Sequence, residues 1–507
     1  MRGMETGKTR IRHQVFTEVA RMAYEGGDYG KRLEQLPFEI IPGEISTYRD
    51  SIFVERAVVG ERLRLAMGMP ARKFSEYSQL SDGIEESVVA EKYYEPPLIN
   101  VIKFACNKCP DNMVHVTDAC QGCLEHPCME ICPKNAIYRQ NGKAHVDQSK
   151  CIKCGKCVTA CPFTAILRQE RPCRKACGIK CINAGEHGWA TIDYKRCTSC
   201  GQCLVACPFG AIADKSQIFQ TIMAIKSGTP VYVALAPAFV GQFGSDAIPG
   251  KMKASFQRLG FKDVYEVAIG ADLCVVEEAE DFLKEVPEKH KFMVTSCCPS
   301  WSDLVKKMFP ELSHNISVAL TPMVLTARMI KEKHPGCKVA FVGPCDSKKL
   351  EASRRTVRSE VDFVLTFEEV LGMFAAKGVD KEQIPMSEAS ALNSASSDAR
   401  GFAVSGGVAK AVVNAIHRID PDREVKVAYA DGLEECKKLL LMAKAGKYDG
   451  YLLEGMACPG GCVAGAGTLQ PIEKTRKAVE KFCDCAQYSC AMDTKYMEYL
   501  PLIEKEK

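Results

Sequence analysis

The chain has 507 residues, of which 46% are hydrophobic, and its formal net charge at pH 7 is +4. This length predicts several domains, and this composition suits packed cores. A charge so close to balance, without a long run of Lys or Arg, argues against a nucleic-acid partner. The longest apolar run, Val231 to Phe239, is too short for the ~18 residues of a membrane span, so we expect no such span.

The 28 cysteines are unevenly distributed. None precedes Cys106, seventeen lie between Cys106 and Cys207, and eleven are scattered from Cys274 to Cys490. Residues Met1 to Gln14 lack the apolar core of a secretion signal, so we expect a cytoplasmic protein. In that compartment cysteines stay reduced and serve metals rather than disulfides.

Residues 1–100 place apolar side chains at helical spacing, in the segments VFTEVARMAY and VERAVVGERLRLAM. We predict a helical amino-terminal unit that acts as a structural cover for its neighbour. Residues 101–215 show little hydrophobic periodicity, so bound clusters must organise them. We predict a ferredoxin-like α+β region there, made of two cysteine repeats.

The first repeat contains the spacing C-x2-C-x2-C-x3-C-P, which is typical of a 4Fe-4S cluster, and a related run precedes it. Zinc motifs do not repeat in this way, so zinc is the weaker alternative. In such pairs the fourth cysteine of each run serves the other cluster. One cluster would therefore take Cys120, Cys123, Cys128 and Cys161, and the other Cys132, Cys151, Cys154 and Cys157.

The second repeat is imperfect. The same crossing rule assigns Cys181, Cys197, Cys200 and Cys203 to a third cluster. It leaves Cys173, Cys177 and Cys207 one ligand short of a fourth, which Cys106 or Cys109 could supply. We therefore expect three or four accessory 4Fe-4S clusters, which together would conduct single electrons to chemistry elsewhere in the chain.

Strand-like and helical stretches alternate over residues 216–475, which predicts an α/β domain, and a cysteine-containing tail follows over 476–507. Three segments of this domain carry cysteines near predicted strand ends, where open α/β sheets place their sites. These segments are TSCCPSW (Thr295 to Trp301), PCDSKKLE (Pro344 to Glu351) and EGMACPGGCVAGAG (Glu454 to Gly467).

These three segments, in this order, resemble the signature loops of the FeFe hydrogenases, and the resemblance extends from about Val231 to Gly467. It implies a divergent, monomeric branch of that family with an H-cluster, a 4Fe-4S cubane joined to a diiron unit with carbon monoxide, cyanide and dithiolate ligands. By this resemblance the cubane ligands are Cys298, Cys345, Cys458 and Cys462, and Cys462 also bridges to the diiron unit.

The resemblance also implies roles for other residues. Lys348 would bind a cyanide ligand, Met456 would pack beside the diiron unit, and Pro237 and Ala238 would line its pocket. Cys297 would exchange protons with the diiron unit, although it could instead be a structural thiol or a cubane ligand in place of Cys298. Further proton carriers would be Glu278, Ser317 and Asp281, with Glu280 as the alternative to Asp281.

The chain departs from the family pattern at two positions. Gly343 stands where Met is usual before Pro-Cys, and Ser300 replaces a Gly. We expect the smaller residue at 343 to change the room around the diiron unit. Cys274, Cys337 and Cys436 are interpreted as packing residues, and Cys483, Cys485 and Cys490 have no recognised spacing.

The resemblance therefore implies reversible conversion of two protons and two electrons to H2, with a ferredoxin or flavodoxin as electron partner. It also implies maturation enzymes that deliver the diiron unit. No Gly-rich dinucleotide fingerprint supports direct use of NAD. The alternatives are a non-catalytic relative in iron-sulfur protein assembly and a hydrogen sensor with the same fold.

Overall fold

The computed structural model describes residues 3–73, 75–91, 94–244, 248–354, 356–357, 360–381, 383–392 and 395–501. Within these ranges a helical unit is followed by short antiparallel strand pairs and then by two parallel sheets with helices around them. This arrangement confirms the predicted fold class, a helical amino-terminal unit, a ferredoxin-like α+β region and an α/β domain.

The amino-terminal unit contains α1 (Gly7–Glu25), α2 (Tyr29–Ile40) and α3 (Ile52–Ala66). Each helix begins after a residue whose side chain accepts a backbone hydrogen bond: Thr6, Asp28 and Ser51. Such caps satisfy amide groups that the first helical turn leaves without partners. The first of the two segments with helical spacing lies inside α1, and the second lies in α3 except for its last residue, Met67, which follows the end of the helix.

Four antiparallel strand pairs build the region from 99 to 214, namely β1–β8, β2–β5, β3–β4 and β6–β7. The strands are β1 (Ile99–Val101), β2 (Met113–Val116), β3 (Ile137–Gln140), β4 (Lys143–Val146), β5 (Ile166–Gln169), β6 (Ile182–Ala184), β7 (Ala190–Ile192) and β8 (Ile212–Asp214). Short helices lie between them: α4 (Pro127–Glu130), α5 (Lys156–Ala160), α6 (Pro172–Lys175) and α7 (Gln202–Ala206). The first cluster pair has a small core of Val114, Ile137 and Ile166 with Cys128 and Cys157.

Two parallel sheets form the centre of the α/β domain, with strand orders β10-β9-β12-β13 and β11-β15-β14. Their strands are β9 (Val231–Leu235), β10 (Asp263–Glu266), β11 (Met293–Val294), β12 (Lys338–Gly343), β13 (Phe363–Thr366), β14 (Lys426–Asp431) and β15 (Tyr451–Met456). The predicted site segments follow β9, β11, β12 and β15. Parallel strands end at the same edge of a sheet, so these segments converge.

Helices pack around these sheets: α8 (Ile218–Lys226), α9 (Pro249–Arg258), α10 (Ala268–Glu285), α11 (Pro299–Met308), α12 (Pro322–Lys333), α13 (Asp346–Ala352), α14 (Phe367–Lys377), α15 (Ser397–Arg400), α16 (Gly407–Ile419), α17 (Leu433–Lys444) and α18 (Ile472–Asp484). Helix α18 continues across the boundary that we predict at 475/476. Among the described residues, no helix combines the length and apolar character needed to cross a membrane.

The amino-terminal unit shares its core with the α/β domain. Phe16 and Val19 of α1 are buried in one cluster with residues of α8 and α14, and Gly372 of α14 allows the close approach to Phe16. Helix α3 also packs on the cluster region through Val58 and Leu65. The unit therefore packs on both the α/β domain and the cluster region.

Buried ion pairs join the three regions. Arg12 of α1 donates to Glu368 at 2.9 and 2.7 Å and to Asp214 at 3.3 Å. Lys349 donates to the same Asp214 at 2.6 Å and to Glu369 at 2.8 Å. Burial opposes ionisation of Asp214, but Lys349 and Arg12 outweigh it and lower its pKa to about 2.

We predict that Arg12→Ala destabilises the protein by about 3–5 kcal/mol, because it leaves buried carboxylates without their cation. The free energy of unfolding from denaturant titration measures this loss. Arg10→Ala is the matched control, since Arg10 lies on the exposed face of the same helix. Equal stability of the two variants would contradict the importance of this network.

Candidate active site

A cavity of about 90 Å³ lies where the strand ends meet. Five thiols of the α/β domain line it, and Cys200 of the cluster region adds a sixth; the five are Cys297, Cys298, Cys345, Cys458 and Cys462. Most of the remaining wall is apolar: Ala236, Pro237, Ala238, Val267, Ala268, Ala271, Pro322, Met323, Phe341, Phe402 and Met456. The cavity thus combines many sulfur donors with little else that could solvate a charge.

The cysteine loops are fixed by strand-to-helix junctions. Cys298 follows β11 and directly precedes α11, and Cys345 follows β12 and directly precedes α13. Behind the first loop, the indole of Trp301 fills the space beside Gly455, where any Cβ would collide with it. Gly455 is therefore required for the third loop to lie against the first.

Close backbone contacts also shape the loop between Cys458 and Cys462. Gly460 and Gly461 have φ angles of +93° and +96°, which side chains disfavour. A Cβ at Gly461 would lie 2.6 Å from the amide nitrogen of Ser405. The two glycines thus allow the backbone of this loop to lie close to residues 403–405.

Burial raises the pKa values of all four predicted cubane ligands, that of Cys462 to about 12. Lys348 acts in the opposite direction on Cys298, Cys345 and Cys462. Without a metal these thiols would remain neutral, since thiolates in such a site are poorly solvated. A bound iron cluster would displace their protons and supply the missing positive charge.

Lys348 is buried, with 8% of its surface exposed. Its Nζ donates to Glu351 Oε2 at 2.7 Å and to the carbonyl of Cys297 at 3.3 Å. Burial opposes the charged form, but Glu351 outweighs it and raises the pKa. Lys348 therefore remains an ammonium group at the cavity wall and is not a solvent-exposed lysine.

Cys297 and Glu278 lie next to each other in the interior. Burial raises the pKa of Cys297 well above its ordinary value, and the charge of Glu278 adds to this effect. Glu278 Oε1 accepts from the amide and hydroxyl of Ser296 at 2.8 and 2.9 Å, while Oε2 has no hydrogen-bond partner among the described residues. Burial raises the pKa of Glu278 to about 7.

The residues expected to carry protons beyond Glu278 lie in different surroundings. Asp281 is close enough to raise the pKa of Glu278, whereas Glu280 binds Lys284 at the surface, at 2.9 Å. Ser317 is buried, and its Oγ accepts from the amide of Ala319. The geometry thus favours Asp281 over Glu280 as the neighbour of Glu278.

A second cavity, of about 20 Å³, adjoins the first. Five thiols line it, and Cys200 is common to both cavities: Cys177, Cys181, Cys197, Cys200 and Cys203. The Sγ atoms of Cys177 and Cys181 are 3.5 Å apart. The four ligands expected for the third cluster are therefore together, with Cys177 as an additional thiol.

A further cavity of about 20 Å³ is lined by Cys106, Cys109, Cys173 and Cys207. This set differs from the expected one, in which Cys177 accompanies Cys173 and Cys207. The antiparallel pair β1–β8 lies alongside this cavity, with Val101 and Ile212 in its wall. Both Cys106 and Cys109 face it, so four thiols line this cavity without Cys177.

The first two cysteine sets follow the crossed arrangement expected from their spacing. Burial raises the pKa of Cys128, and the charges of Cys123, Cys161 and Cys120 raise it further. Burial likewise raises the pKa of Cys157, whose thiol neighbours are Cys151, Cys154 and Cys132. The fourth cysteine of each run thus lies with the other run.

Polar contacts that sequence patterns did not reveal join the cluster region to the active site. The carbonyl of Thr198 accepts from Ser300 at 3.1 Å and from Ser347 at 3.2 Å. Gln202 Nε2 donates to Cys458 Sγ at 3.3 Å and to the carbonyl of Ala464 at 3.2 Å. Ser300, a departure from the family pattern, therefore fixes the Cys200 loop against the site.

The isolated cysteines lie apart from these cavities. Cys274, Cys337 and Cys436 are buried, and Cys436 donates to the carbonyls of Ala430 and Met456. In the tail, Cys490 is buried, Cys483 is half-buried and Cys485 is exposed.

Comparisons with known proteins identify the family of the chain. Residues 229–466 match the family described as iron only hydrogenase large subunit, C-terminal domain, and residues 144–167 and 190–213 match 4Fe-4S binding domains. The periplasmic [Fe] hydrogenase large subunit of Nitratidesulfovibrio vulgaris is 31% identical over 370 residues, which are 64% of this chain and 86% of that protein. The chain belongs to the iron-only hydrogenase family.

Other relatives include, by their names, both a hydrogenase and an iron-sulfur cluster assembly factor. Iron hydrogenase 1 of Clostridium pasteurianum is 29% identical over 64% of this chain and 64% of that protein, so about a third of that relative has no counterpart here. The cytosolic Fe-S cluster assembly factor narfl of Danio rerio is 26% identical over 45% of this chain and 68% of its own length. Membership of the family therefore leaves two kinds of function to separate.

The residues of this family member fit an H-cluster. Cys298, Cys345, Cys458 and Cys462 line the cavity and would provide a complete cubane donor set. Lys348 offers an ammonium group where anionic ligands would lie, and the apolar walls keep water from competing with it. Met456, Pro237 and Ala238 also face the cavity.

The space beside Gly343 is occupied by a neighbouring side chain. Gly343 does not line the cavity among the described residues, and a Cβ there would lie 2.5 and 2.6 Å from the ring of Phe341. Phe341, two residues earlier on β12, lines the cavity itself. The ring of Phe341 fills the space that the usual side chain at 343 would need. This compensation involves two positions, so a comparison made one residue at a time does not indicate it.

We predict that Gly343→Ala destabilises the protein by about 1–3 kcal/mol through overpacking. In the Phe341→Leu background the same substitution should cost less, which a double-mutant cycle of unfolding free energies will show. Gly401→Ala is the control, because an added Cβ there meets nothing within 4 Å. The same penalty in both backgrounds would contradict the compensation.

We predict that Glu278→Gln changes the pH dependence of stability. Unfolded Glu278 releases its proton near pH 4.5 and folded Glu278 near 7, so raising the pH through this window destabilises the native protein. Gln cannot ionise, so the variant should gain on the order of 3 kcal/mol relative to wild type by about pH 8. Denaturant midpoints across the window measure this gain. Glu280→Gln, a substitution at the surface, should show no such gain in stability. If the stabilities of Glu278→Gln and of wild type changed with pH in parallel, burial of Glu278 would not be the cause.

Proposed function

We propose that this chain is an FeFe hydrogenase that catalyses 2H⁺ + 2e⁻ ⇌ H₂. The observation that carries this proposal is the cavity in which four cubane-type thiols, a fifth thiol and a buried ammonium group meet: Cys298, Cys345, Cys458, Cys462, Cys297 and Lys348. When bound, the H-cluster supplies the iron centre at which protons and electrons combine. A site built only for electron transfer would need the four thiols but not Cys297 or Lys348.

In this proposal Cys297 carries protons to and from the cavity. Its thiol is buried beside Glu278, whose pKa of about 7 lets it gain and release a proton near neutral pH. The unpartnered Oε2 of Glu278 is the free acceptor on this route. Asp281 and Ser317 are the residues that we assign to the outer part of the route.

The accessory clusters would carry the electrons. Cys200 lines both the active-site cavity and the second cavity, so electrons would have a short path between them. The cavity lined by Cys106, Cys109, Cys173 and Cys207 and the two crossed sets would extend this path outward to a ferredoxin or flavodoxin. The described cysteines are unpaired thiols, which suits a reducing compartment such as the cytoplasm.

A second candidate function is iron-sulfur protein assembly without hydrogen chemistry. The relatives named as assembly factors favour it, at 24–27% identity. The same cavity speaks against it, because an assembly role would not require a proton-carrying Cys297 or an ammonium group held by Glu351. A hydrogen sensor would keep the whole site and would differ in its turnover.

Infrared spectra of anaerobically matured protein separate these functions, since iron-bound carbon monoxide and cyanide absorb where proteins do not. We expect these bands together with hydrogen evolution from a reduced electron donor. Their absence from protein with complete accessory clusters would overturn the proposal in favour of assembly. Bands with very slow turnover would favour the sensor.

We predict that Cys297→Ala keeps the carbon monoxide and cyanide bands but loses nearly all hydrogen turnover. Cys298→Ala, one position along, should lose the cubane and with it the bands. Lys348→Ala should retain the accessory clusters but little diiron unit, because the anions lose their fixed donor. Near-normal turnover of Cys297→Ala would refute the proton-carrying role.

A further inference from the structure

The two loops that hold the outer cluster pair have opposite charges. Residues 118–130 contain Asp118, Glu125 and Glu130 and no Lys or Arg. Residues 149–161 contain three lysines, Lys150, Lys153 and Lys156, and no Asp or Glu. Two loops with the same ligand role thus differ by six charges, which ligation of iron does not require.

Neighbouring residues neutralise only part of this difference. Lys150 is 3.7 Å from Asp147, and Asp118 is 3.5 Å from Lys143. In the part of the chain that the structure describes, Lys153 and Lys156 have no carboxylate within 4.0 Å. The second loop, which we term the basic loop (149–161), therefore keeps a positive field toward solvent.

The basic loop also brings a cluster ligand to the surface. Of the seventeen cysteines in the cluster region, only Cys154 is exposed to solvent. Beside it, Ile152 is 56% exposed. An apolar side chain within a ring of charge is a common feature of transient docking surfaces. Electrons can cross most readily where a cluster ligand is not covered by protein.

We propose that the basic loop is the docking surface for an acidic electron-carrier protein, which places its own redox centre over Cys154. This assignment rests on the proposed electron path and names its outer end. The carrier is oxidised by one electron, and the cluster of Cys132, Cys151, Cys154 and Cys157 is reduced by that electron. No bond is made and no proton is transferred in this step.

Charge complementarity carries this assignment. Electrostatic steering raises association rates by about 10–10³-fold between opposite charges and falls steeply with salt. The first loop, residues 118–130, which we term the acidic loop, exposes 93% of Leu124 and so offers a similar apolar contact. Its carboxylates would, however, repel the same carrier. Both loops expose an apolar side chain, so the difference that selects the basic loop is its charge.

The test is stopped-flow reduction of the accessory clusters by a small, chemically reduced acidic 4Fe-4S ferredoxin. In Lys153→Asp/Lys156→Glu we expect the second-order rate to fall at least tenfold at low salt, and the difference to shrink at high salt. Reduced methyl viologen, a small cation, should reduce wild type and variant at similar rates. If the reversed variant loses a cluster, Lys153→Asn/Lys156→Gln provides the same comparison with a smaller charge change.

Glu125→Lys/Glu130→Lys is the matched control on the acidic loop, and its rate should stay within about twofold of wild type. A wild-type rate for the basic-loop variants would overturn the assignment. Rate changes of equal size but opposite direction in the basic-loop and acidic-loop variants would also overturn it, because they would reflect the net charge of the protein alone. The measurement ends at the accessory clusters, so its outcome is independent of whether the chain reacts with hydrogen.

Discussion

The exclusion of water from a cavity lined by six thiols is the constraint on which the rest of the structure depends. In such surroundings a thiolate is unstable unless a cation lies beside it, and burial accordingly raises the pKa values of Cys345, Cys458 and Cys462. Among the described residues that line the cavity, Lys348 is the only one with a positive charge. A bound metal cluster would supply the positive charge that these thiolates need.

Holding this cavity closed requires parts of the chain that are distant in sequence. The carbonyl of Thr198 receives hydrogen bonds from two of the three cysteine loops, and Gln202 contacts a cubane-type thiol directly. The cluster region is thus one wall of the active site. The buried network of Arg12, Asp214 and Lys349 then ties this wall to the amino-terminal helices, which explains why those helices share a core with the α/β domain.

The same packing shows how a divergent family member can keep its site. Replacement of a usual Met by Gly343 does not enlarge the cavity, because the ring of Phe341 occupies the space. Replacement of a usual Gly by Ser300 adds a hydrogen bond to the carbonyl of Thr198, so the hydroxyl group of this cavity-lining residue has a partner. At both positions a neighbouring residue accommodates the departure, as a dense interior requires.

The sequence by itself determined the fold class and the family, because cysteine spacing and strand-end loops encode ligand geometry locally. It grouped Cys177 with Cys173 and Cys207, whereas in the structure Cys106 and Cys109 lie beside Cys173 and Cys177 lines the neighbouring cavity. Nor did it exclude Glu280 as the alternative to Asp281, or find Phe341 and Gln202. These depend on contacts between residues far apart in the chain or on opposite helix faces, and only tertiary packing decides which side chain points inward.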